Sequence, residues 1–435
     1  MGFDRSIVSH SSASTGGCRR WVAPAIIPQM SASRQSLTLI LAAAAILLIT
    51  TGTRQVTGLF VLPIISTTGV SIAALSFALA VGQFMWGAAQ PVFGALADHY
   101  GAFRVLVVGS LLLAVGLALT TYATSQTGLL LTLGVLSAAG AGAGSFSILI
   151  GGTARTLNPK QRSLAAGVIN AGGSLGQFVF APVTQAIIAA ASWGTAMFTL
   201  AASALLTIPL AWPLRHRPAA PTATASADAQ APITLREQLR IAMRDPSYIY
   251  LNLGFFTCGF HVAFLVTHFP GEIQNCGLTA GVAANSLALI GLFNVGGSIG
   301  AGLLGQRFRM KSLLAGIYAA RAALILIYLL MPKTALNVYL FAAGLGLTWL
   351  ATVPPTSGIV AKLFGVRYLG TLFGLTLVSH QTGAFLGAWL GGIAMAQMGS
   401  YQWMWYADMA LAIAAAVVNL PIREDKPVPR AAVAA

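Results

Sequence analysis

Few residues of this chain could do chemistry, and three of them lie in the middle of long apolar stretches: Arg54, His261 and His380. An arginine is permanently charged and presents a planar fork of donors that fits a carboxylate. A histidine gains or loses a proton near neutral pH and can also donate a hydrogen bond. These residue types favour recognition of an anion, with the histidines serving either as proton carriers or as hydrogen-bond donors to the anion.

Each of these residues also has a purely structural interpretation. Arg54 could bond the carbonyl groups at a helix end, and a single histidine in an apolar helix is more often a satisfied hydrogen-bonding residue. Gln381 and Asn294 are further polar residues in the middle of apolar stretches. They could orient a substrate or join neighbouring helices by hydrogen bonds, and the sequence favours neither.

Arg321 and Asp408 are a second set of ionisable residues in apolar stretches. An ionisable residue in a membrane costs at least about 2.5–3.5 kcal/mol on insertion scales, so it is paired or functional by default. With a rise of about 1.5 Å per residue, helices through these stretches bring the two side chains to similar depths. The sequence therefore predicts a buried ion pair between them. The alternative is that Asp408, the only acid deep within such a stretch, carries a coupled proton.

The chain shows no pattern of an enzyme or of a metal site. It has no HExxH sequence and no paired carboxylates, and the Gly/Ala run at 140–144 lies in an apolar stretch, where it favours close helix packing. Cys18, Cys258 and Cys276 lack the spacing of metal ligands. We expect no catalytic site, no metal and no cofactor.

Composition determines the elements that must position these residues. Of the 435 residues, 57% are hydrophobic and 8% are charged, whereas a soluble domain carries about 25% charged residues. The apolar residues come in blocks of about 20, which as helices span a bilayer core. The net charge of +15 comes from cations that lie between these blocks, which is typical of membrane topology and not of nucleic-acid binding. The sequence predicts an all-α integral membrane protein whose surroundings are the lipid bilayer.

The apolar blocks predict twelve transmembrane helices, here numbered as spans. Their expected bounds are 37–64, 72–97, 104–124, 128–154, 162–190, 194–213, 247–270, 280–304, 312–331, 335–360, 368–397 and 402–421. The chain therefore divides into a leader at 1–36 (with Met30 as an alternative start), a six-helix bundle at 37–213, a linker at 214–246, a second bundle at 247–422 and a tail at 423–435. All of the 24 lysines and arginines except Arg54, Arg321 and Lys333 fall in the even-numbered connections or the termini. This bias predicts cytoplasmic termini and a cytoplasmic linker, in the cytoplasmic (inner) membrane.

The two predicted bundles repeat each other at an offset of 207 or 208 residues. The matched pairs are Gly52 with Gly259, Arg54 with His261, Pro63 with Pro270, Gly94 with Gly302, Arg155 with Lys362, Gly167 with Gly374, and Gly176 with Gly383. Parallel six-helix repeats predict two pseudo-symmetric bundles with a binding site between them, near the middle of the membrane.

The connection after span 2 carries a recognisable sequence, Gly94-Ala-Leu-Ala-Asp98-His-Tyr-Gly101-Ala-Phe-Arg104. It resembles the G-x-x-x-D-R-x-G-x-R/K loop of the major facilitator superfamily. A degenerate second copy follows span 8, with Gln306 where an acid often lies and Arg307 after it. The resemblance implies that Asp98 and Arg104 hold the cytoplasmic helix ends together in one conformation and release them in another. The alternative is that these charges only anchor the turn at the lipid headgroups.

Within that superfamily, three stretches resemble a bacterial branch of the monocarboxylate-porter type: 52–60, 256–264 and 379–387. The resemblance implies that spans 1, 4, 7 and 10 line a central cavity, so that Arg54 and His261 would face each other across it. It implies a monomeric secondary transporter of a small organic anion, with proton symport as the expected coupling. The alternative function is efflux of drugs or amphipathic metabolites by proton antiport, which the absence of a Gly-Pro pair from span 5 disfavours.

Overall fold

The computed structural model describes residues 34–154, 157, 159–215, 234–365 and 368–424. The leader with Met30, most of the linker, Arg155 and the tail beyond residue 424 lie outside the described residues, and so does the side chain of Asp98. The predictions made for these parts of the chain stay predictions.

The described chain is helical throughout, without strands, and its long helices form twelve spans. Their bounds are Arg34–Gln55 continued by Thr57–Phe60 and Val61–Thr68 (span 1), Ile72–Tyr100 (2), Ala102–Thr120 (3), Gln126–Leu129, Leu130–Ser137, Ala138–Ala143 and Phe146–Ala154 (4), Pro159–Ala190 (5), Trp193–Leu205 and Thr207–Leu210 (6), Pro246–Asn275 (7), Ala280–Leu304 (8), Met310–Leu330 (9), Ala335–Thr348 and Val353–Phe364 (10), Leu369–Met398 (11), and Gln402–Asn419 (12). A short helix, Leu235–Arg244, precedes span 7. The predicted all-α class and its twelve spans are confirmed.

The outer surface of this bundle is too apolar to face water. Ten of the described spans are long and apolar enough to cross a membrane by length and composition alone. The other two, spans 11 and 12, carry the buried polar residues His380, Gln381 and Asp408. Large apolar side chains such as Leu111 and Ile413 are exposed on the outside of the bundle, where lipid would cover them.

The predicted repeat reappears as a repeat of packing. Span 1 packs on span 5 as span 7 packs on span 11, and span 3 packs on span 6 as span 9 packs on span 12. The matched glycines explain the first of these equivalences. A methyl group at Gly176 would collide with the carbonyl oxygen of Leu48 in span 1, and one at Gly383 would collide with that of Phe256 in span 7. Without a side chain, the helix backbones approach closely, which is how helices associate in lipid.

Spans 4 and 10 are broken at matching positions, which the sequence analysis did not predict. Span 4 is interrupted at Gly144–Ser145, and span 10 is interrupted between Thr348 and Val353. In span 10 the second segment begins with prolines at 354 and 355, which lack the N–H group that would continue the helix and disfavour it in the preceding residue. In span 4 the hydroxyl of Thr50 donates to the carbonyl oxygen of Gly144 at 2.9 Å, which satisfies one group released by the break.

The described chain begins and ends on the same side of the bundle, here called the terminal side; the opposite side is the far side. On the far side the two halves pack together, with the ring of Phe77 in span 2 lying 6.0 Å from Phe385 and 5.8 Å from Trp389 in span 11. Toward the terminal side, span 2 carries Gly94 and span 11 carries Gly374, where an added Cβ would meet no atom within 4 Å. At these positions the two helices leave open space on the terminal side, here called the opening between the halves.

Candidate functional site

Arg54 is held at the end of the first helix of span 1 by two residues of span 2. Its guanidinium donates to the side-chain oxygen of Gln83 and lies 4.2 Å from the ring centre of Trp86. Arg54 is half-buried, and no ion pair to it is recorded among the described residues. A cation without a counter-ion, in a position that water can still reach, suits an incoming anion.

A small cavity lies behind Arg54 inside the first half. Its volume is about 40 Å³, and leucines and alanines of spans 2, 3 and 4 line it together with Gln83 and Ser137. A buried water requires about 10–15 Å³ by this measure, so the cavity has room for only a few waters. An organic anion would therefore approach Arg54 from the opening between the halves and not from this cavity.

Polar residues continue from Arg54 toward the terminal side. The hydroxyl of Ser147, just past the break in span 4, donates to the side-chain oxygen of Gln90 in span 2 at 2.7 Å. Ser147 is exposed and Gln90 is half-buried. Because Gln90 lies seven residues, or about two helical turns, beyond Gln83, the two glutamines lie on the same face of span 2 and form a polar strip that leads to Arg54.

His261 does not face Arg54, so that expectation from the sequence is wrong. His261 is 1% exposed, and its Nδ1 lies 2.6 Å from the Oδ2 atom of Asp408 in span 12. The side chain therefore turns into the second half, away from the opening. The physical reason is that the fully buried carboxylate of Asp408 needs a partner, and an imidazole with its own proton provides one.

The predicted ion pair between Arg321 and Asp408 is also wrong. Arg321 is completely buried, and its Nη2 donates to the carbonyl oxygens of Thr348 and Trp349 at 2.5 and 2.8 Å. These are carbonyl groups released by the break in span 10. Depth along the helices placed Arg321 and Asp408 at a similar level, but the break provides free carbonyl oxygens that Arg321 binds, and Asp408 has His261 as its partner.

His380 and Gln381 lie at the middle of span 11. The ring of His380 lies 4.9 Å from that of Phe255, and its Nδ1 is buried without a hydrogen-bond partner among the described residues. The side chain of Gln381 fills the space above Gly87 of span 2, and its carbonyl oxygen also lacks a partner. Gln381 therefore lies at the boundary between the halves, whereas the His380 ring packs against span 7 of its own half, and the roles of both toward a substrate stay predictions.

Asn294 joins three helices. Its amide nitrogen donates to the hydroxyl of Ser174 in span 5 at 3.0 Å, and its carbonyl oxygen accepts from the backbone N–H of Leu350 and the hydroxyl of Ser298. These contacts connect span 8 to the other half and to the break in span 10. They agree with the helix-joining interpretation of Asn294, and they occupy both ends of its side chain.

The connection between spans 2 and 3 has the geometry of a tight turn. Gly101 has a φ of 92°, a conformation that favours glycine, and span 3 starts at the next residue. Arg104, Gln306 and Arg307 are exposed on the terminal side, and no ion pair of Arg104 or Arg307 is recorded among the described residues. The gating role of this loop stays a prediction.

Sequence reasoning missed an acid that serves the second copy of this loop. Glu424, just after span 12, accepts from the backbone N–H of Lys311 at 2.6 Å and from the ammonium of Lys362 at 2.7 Å. Burial alone would raise the pKa of Glu424, but these hydrogen bonds hold it below its ordinary value. Glu424 thus joins the start of span 9 to the end of span 10, beside the loop in which Gln306 stands where an acid is common.

Another recess in the described chain lies away from these residues. It has a volume of about 780 Å³, opens on the far side beside the connection between spans 1 and 2, and is lined by residues such as Leu62, Val70 and Trp193 without any charged group. Its lining offers no cationic partner for an anion.

Comparison with known proteins places this arrangement among transporters. A sequence model of the Major Facilitator Superfamily matches residues 42–383. The chain is 26% identical to the oxalate:formate antiporter of Oxalobacter formigenes over 352 residues, which is 78% of this chain and 80% of that protein. It is 24% identical to monocarboxylate transporter 13 of Rattus norvegicus, over 79% of this chain and 78% of that protein.

Among solved structures, the fold is similar to that of a D-xylose-proton symporter, with a TM-score of 0.68 and 14% identity over 89% of this chain and 97% of the other. It is also similar to a bacterial homologue of the human lysosomal transporter Spinster in an inward-facing, unoccupied conformation. For that structure the TM-score is 0.66, with 16% identity over 89% of this chain and 95% of the other. At these identities the structural likeness concerns the fold.

Proposed function

Because the chain belongs to the Major Facilitator Superfamily, we propose that it is a secondary transporter that carries a small organic anion, a monocarboxylate, across the membrane by alternating access. A proton moves with the anion. The proposal includes the cytoplasmic membrane as the location, with the terminal side facing the cytoplasm, and a monomer as the functional unit.

The observation that carries this proposal is the position of Arg54. A guanidinium without an acidic partner among the described residues, in the middle of a membrane protein, is costly, and that cost is offset when an anion binds. Gln83 and Trp86 fix the orientation of the guanidinium, which leaves its remaining N–H groups for a carboxylate. The bidentate geometry of such a contact gives both affinity and selectivity for planar anions.

The names of the relatives agree with an anion as cargo. An oxalate:formate antiporter and a monocarboxylate transporter both carry carboxylates by name. For this chain we propose only the class of cargo, a small carboxylate, and no particular molecule.

The contacts between the two halves support alternating access. The halves pack together on the far side through Phe77 and span 11, whereas Gly94 and Gly374 on the terminal side face open space. A rocking motion about the middle would close the terminal side and open the far side around Arg54. The breaks in spans 4 and 10 supply joints at which helices can bend during this motion.

The experiment is uptake of labelled L-lactate, formate and oxalate by liposomes containing the purified protein, with and without an inward proton gradient. Wild type is compared with Arg54→Gln, which removes the charge, and with Arg54→Lys, which keeps the charge but not the planar fork. We expect gradient-stimulated uptake by wild type, residual uptake by the lysine variant, and uptake by the glutamine variant no greater than by protein-free liposomes.

The matched control is Lys333→Gln, which removes a cation from the connection between spans 9 and 10, where its ammonium lies 3.7 Å from the ring centre of Tyr328. This variant should transport like wild type. Equal uptake by wild type and Arg54→Gln would remove Arg54 from the site. Absence of uptake of all three anions by wild type would contradict the proposed class of cargo.

A further inference from the structure

We propose that the buried pair of His261 and Asp408 is the proton-binding site of this transporter, located in the second half and separate from the anion site at Arg54. The inference rests on the proposed function, because it assigns the place where the co-transported proton is held. It concerns residues that do not line the opening between the halves.

The geometry of the pair is that of two groups joined by one proton. His261 Nδ1 and Asp408 Oδ2 lie 2.6 Å apart, at 1% and 0% exposure of the side chains. Such a short distance between an imidazole nitrogen and a carboxylate oxygen requires a proton between them. Because neither side chain is exposed, the proton is held out of contact with water in this conformation.

The other atoms of the pair point to a site that is more than a structural contact. His261 Nε2 and Asp408 Oδ1 are both buried and have no hydrogen-bond partner among the described residues. Unused donor and acceptor positions are what a site needs if it is to accept a proton from, and return it to, water.

The pair has few charged neighbours. The helices packed around it carry the following other titratable or charged side chains: Tyr248, Tyr250, Cys258, His268 and Glu272 of span 7, Lys311, Tyr318, Arg321 and Tyr328 of span 9, Tyr339 and Lys362 of span 10, His380 of span 11, and Tyr401 and Tyr406 at the start of span 12; span 8 has none. Of these, Arg321 is the only permanent charge at the depth of the pair. Its Nε and Nη1 atoms have no partner among the described residues.

The proton balance follows from these charges. In the loaded state the pair holds two protons, the one that a neutral imidazole carries and one more, and is neutral overall, so that the pair together with Arg321 carries one positive charge. On release, the bond to the additional proton, at His261 Nε2 or Asp408 Oδ1, breaks and the proton passes to water, and a neutral imidazole hydrogen-bonded to a carboxylate remains. The negative charge of that carboxylate is then balanced by Arg321, so neither state leaves more than one uncompensated charge in the membrane.

A connection to conformational change is provided by the break in span 10. The ring of Trp349 lies 5.9 Å from that of His261, and the carbonyl oxygen of Trp349 accepts a hydrogen bond from Arg321. When Asp408 loses its proton, the new negative charge attracts Arg321 away from the carbonyl groups that it holds. Loss of the proton from the pair thereby weakens the hydrogen bonds that Arg321 makes at the break in span 10, where the helix can bend.

The experiment separates the proton from the anion. Liposomes containing wild type, Asp408→Asn or His261→Gln are assayed for two quantities: exchange of labelled L-lactate at equal pH on both sides, and lactate accumulation driven by an inward proton gradient, with internal acidification followed by pyranine. We expect both variants to exchange lactate while losing gradient-driven accumulation and acidification. Accumulation and acidification like wild type in both variants would overturn the proposal.

The matched control is His268→Gln. His268 is on the same helix and equally buried, but its Nε2 contacts the carbonyl oxygen of Ala388 and not an acid. This variant should keep proton-driven accumulation. Loss of accumulation in His268→Gln to the same extent as in His261→Gln would mean that any change in the buried part of span 7 stops coupling, and would also overturn the proposal.

A measurement without substrate tests the proton site even if the proposed cargo is wrong or a variant does not fold. Infrared spectra of wild type recorded across pH should contain a carboxylic acid C=O band that titrates, that is absent from Asp408→Asn and that is displaced in Asp408→Glu. This result would support the proton site even if lactate, formate and oxalate are not carried. An unchanged set of titrating bands in whichever Asp408 variant folds would refute it.

Discussion

The contact between His261 and Asp408 predicts that the losses in free energy of unfolding caused by replacing each residue are not additive. The perturbations are His261→Phe, Asp408→Leu and the double variant, since each replacement is apolar and similar in shape to the original side chain. Removing one partner leaves the other buried without its hydrogen bond, whereas removing both leaves an apolar contact. We therefore expect the double variant to be no less stable than the less stable single variant.

The magnitude follows from burial and distance. Both side chains are at most 1% exposed and their atoms lie 2.6 Å apart, so the surviving partner cannot turn to water. In a low dielectric the survivor gives up its charge, and an unsatisfied neutral group costs about 1–3 kcal/mol. Each single variant should lose about 2 kcal/mol in free energy of unfolding, and independent effects would give about 4 kcal/mol in the double variant.

The assay is unfolding of the purified protein by sodium dodecyl sulfate in mixed micelles, followed by tryptophan fluorescence. The same cycle with Arg321→Met in place of His261→Phe is the comparison, because Arg321 contacts backbone carbonyl groups and not Asp408. The coupling free energy should be larger for His261 with Asp408 than for Arg321 with Asp408. Additive losses in the first cycle, or the larger coupling in the second, would refute this assignment of partners.

Two further predictions concern packing and the terminal side. Gly259→Ala should lower the free energy of unfolding by about 1–3 kcal/mol because its methyl group would collide with the backbone of His380; Gly94→Ala, at an open position, is the control, and equal losses in thermal melting would contradict the packing. Glu424→Gln should cost about 1 kcal/mol through loss of the ion pair with Lys362. Because the pKa of Glu424 is lowered in the folded protein, this contribution is present above its ordinary pKa of 4.5 and disappears as the pH falls through the folded value, so wild type and variant should converge in acid; a constant difference would contradict it.

Much of the fold was accessible from the sequence because lipid imposes simple rules. Apolar blocks of spanning length must be helices, and glycines repeated at one offset mark close helix contacts. Gly176 and Gly383 occupy equivalent close contacts in the structure, so the repeat read from their spacing was physically meaningful.

The breaks in spans 4 and 10 were missed although the sequence contained a signal for one of them. The prolines at 354 and 355 cannot continue a helix without losing hydrogen bonds, but hydropathy alone treats the whole stretch as a single span. The break at Gly144 has no such mark, since glycines are common inside membrane helices.

The partners of the buried charges could not be derived from depth. His261 and Arg321 lie at comparable levels, and depth does not say toward which neighbour a side chain turns around its helix. The choice depended on the carbonyl groups released at the break in span 10, which Arg321 binds. Gln83 and Trp86, which hold Arg54, were missed for the same reason: nothing in the spacing along one helix reveals the residue opposite it on another.

The central claim, that Arg54 binds an organic anion, is tested most directly by equilibrium binding to the purified protein, without transport. Tritiated L-lactate and labelled oxalate are titrated in a scintillation proximity assay against wild type, Arg54→Gln and the control Lys333→Gln. We expect saturable binding of at least one anion by wild type and by Lys333→Gln, and none by Arg54→Gln. Binding by Arg54→Gln as tight as by wild type would contradict the claim.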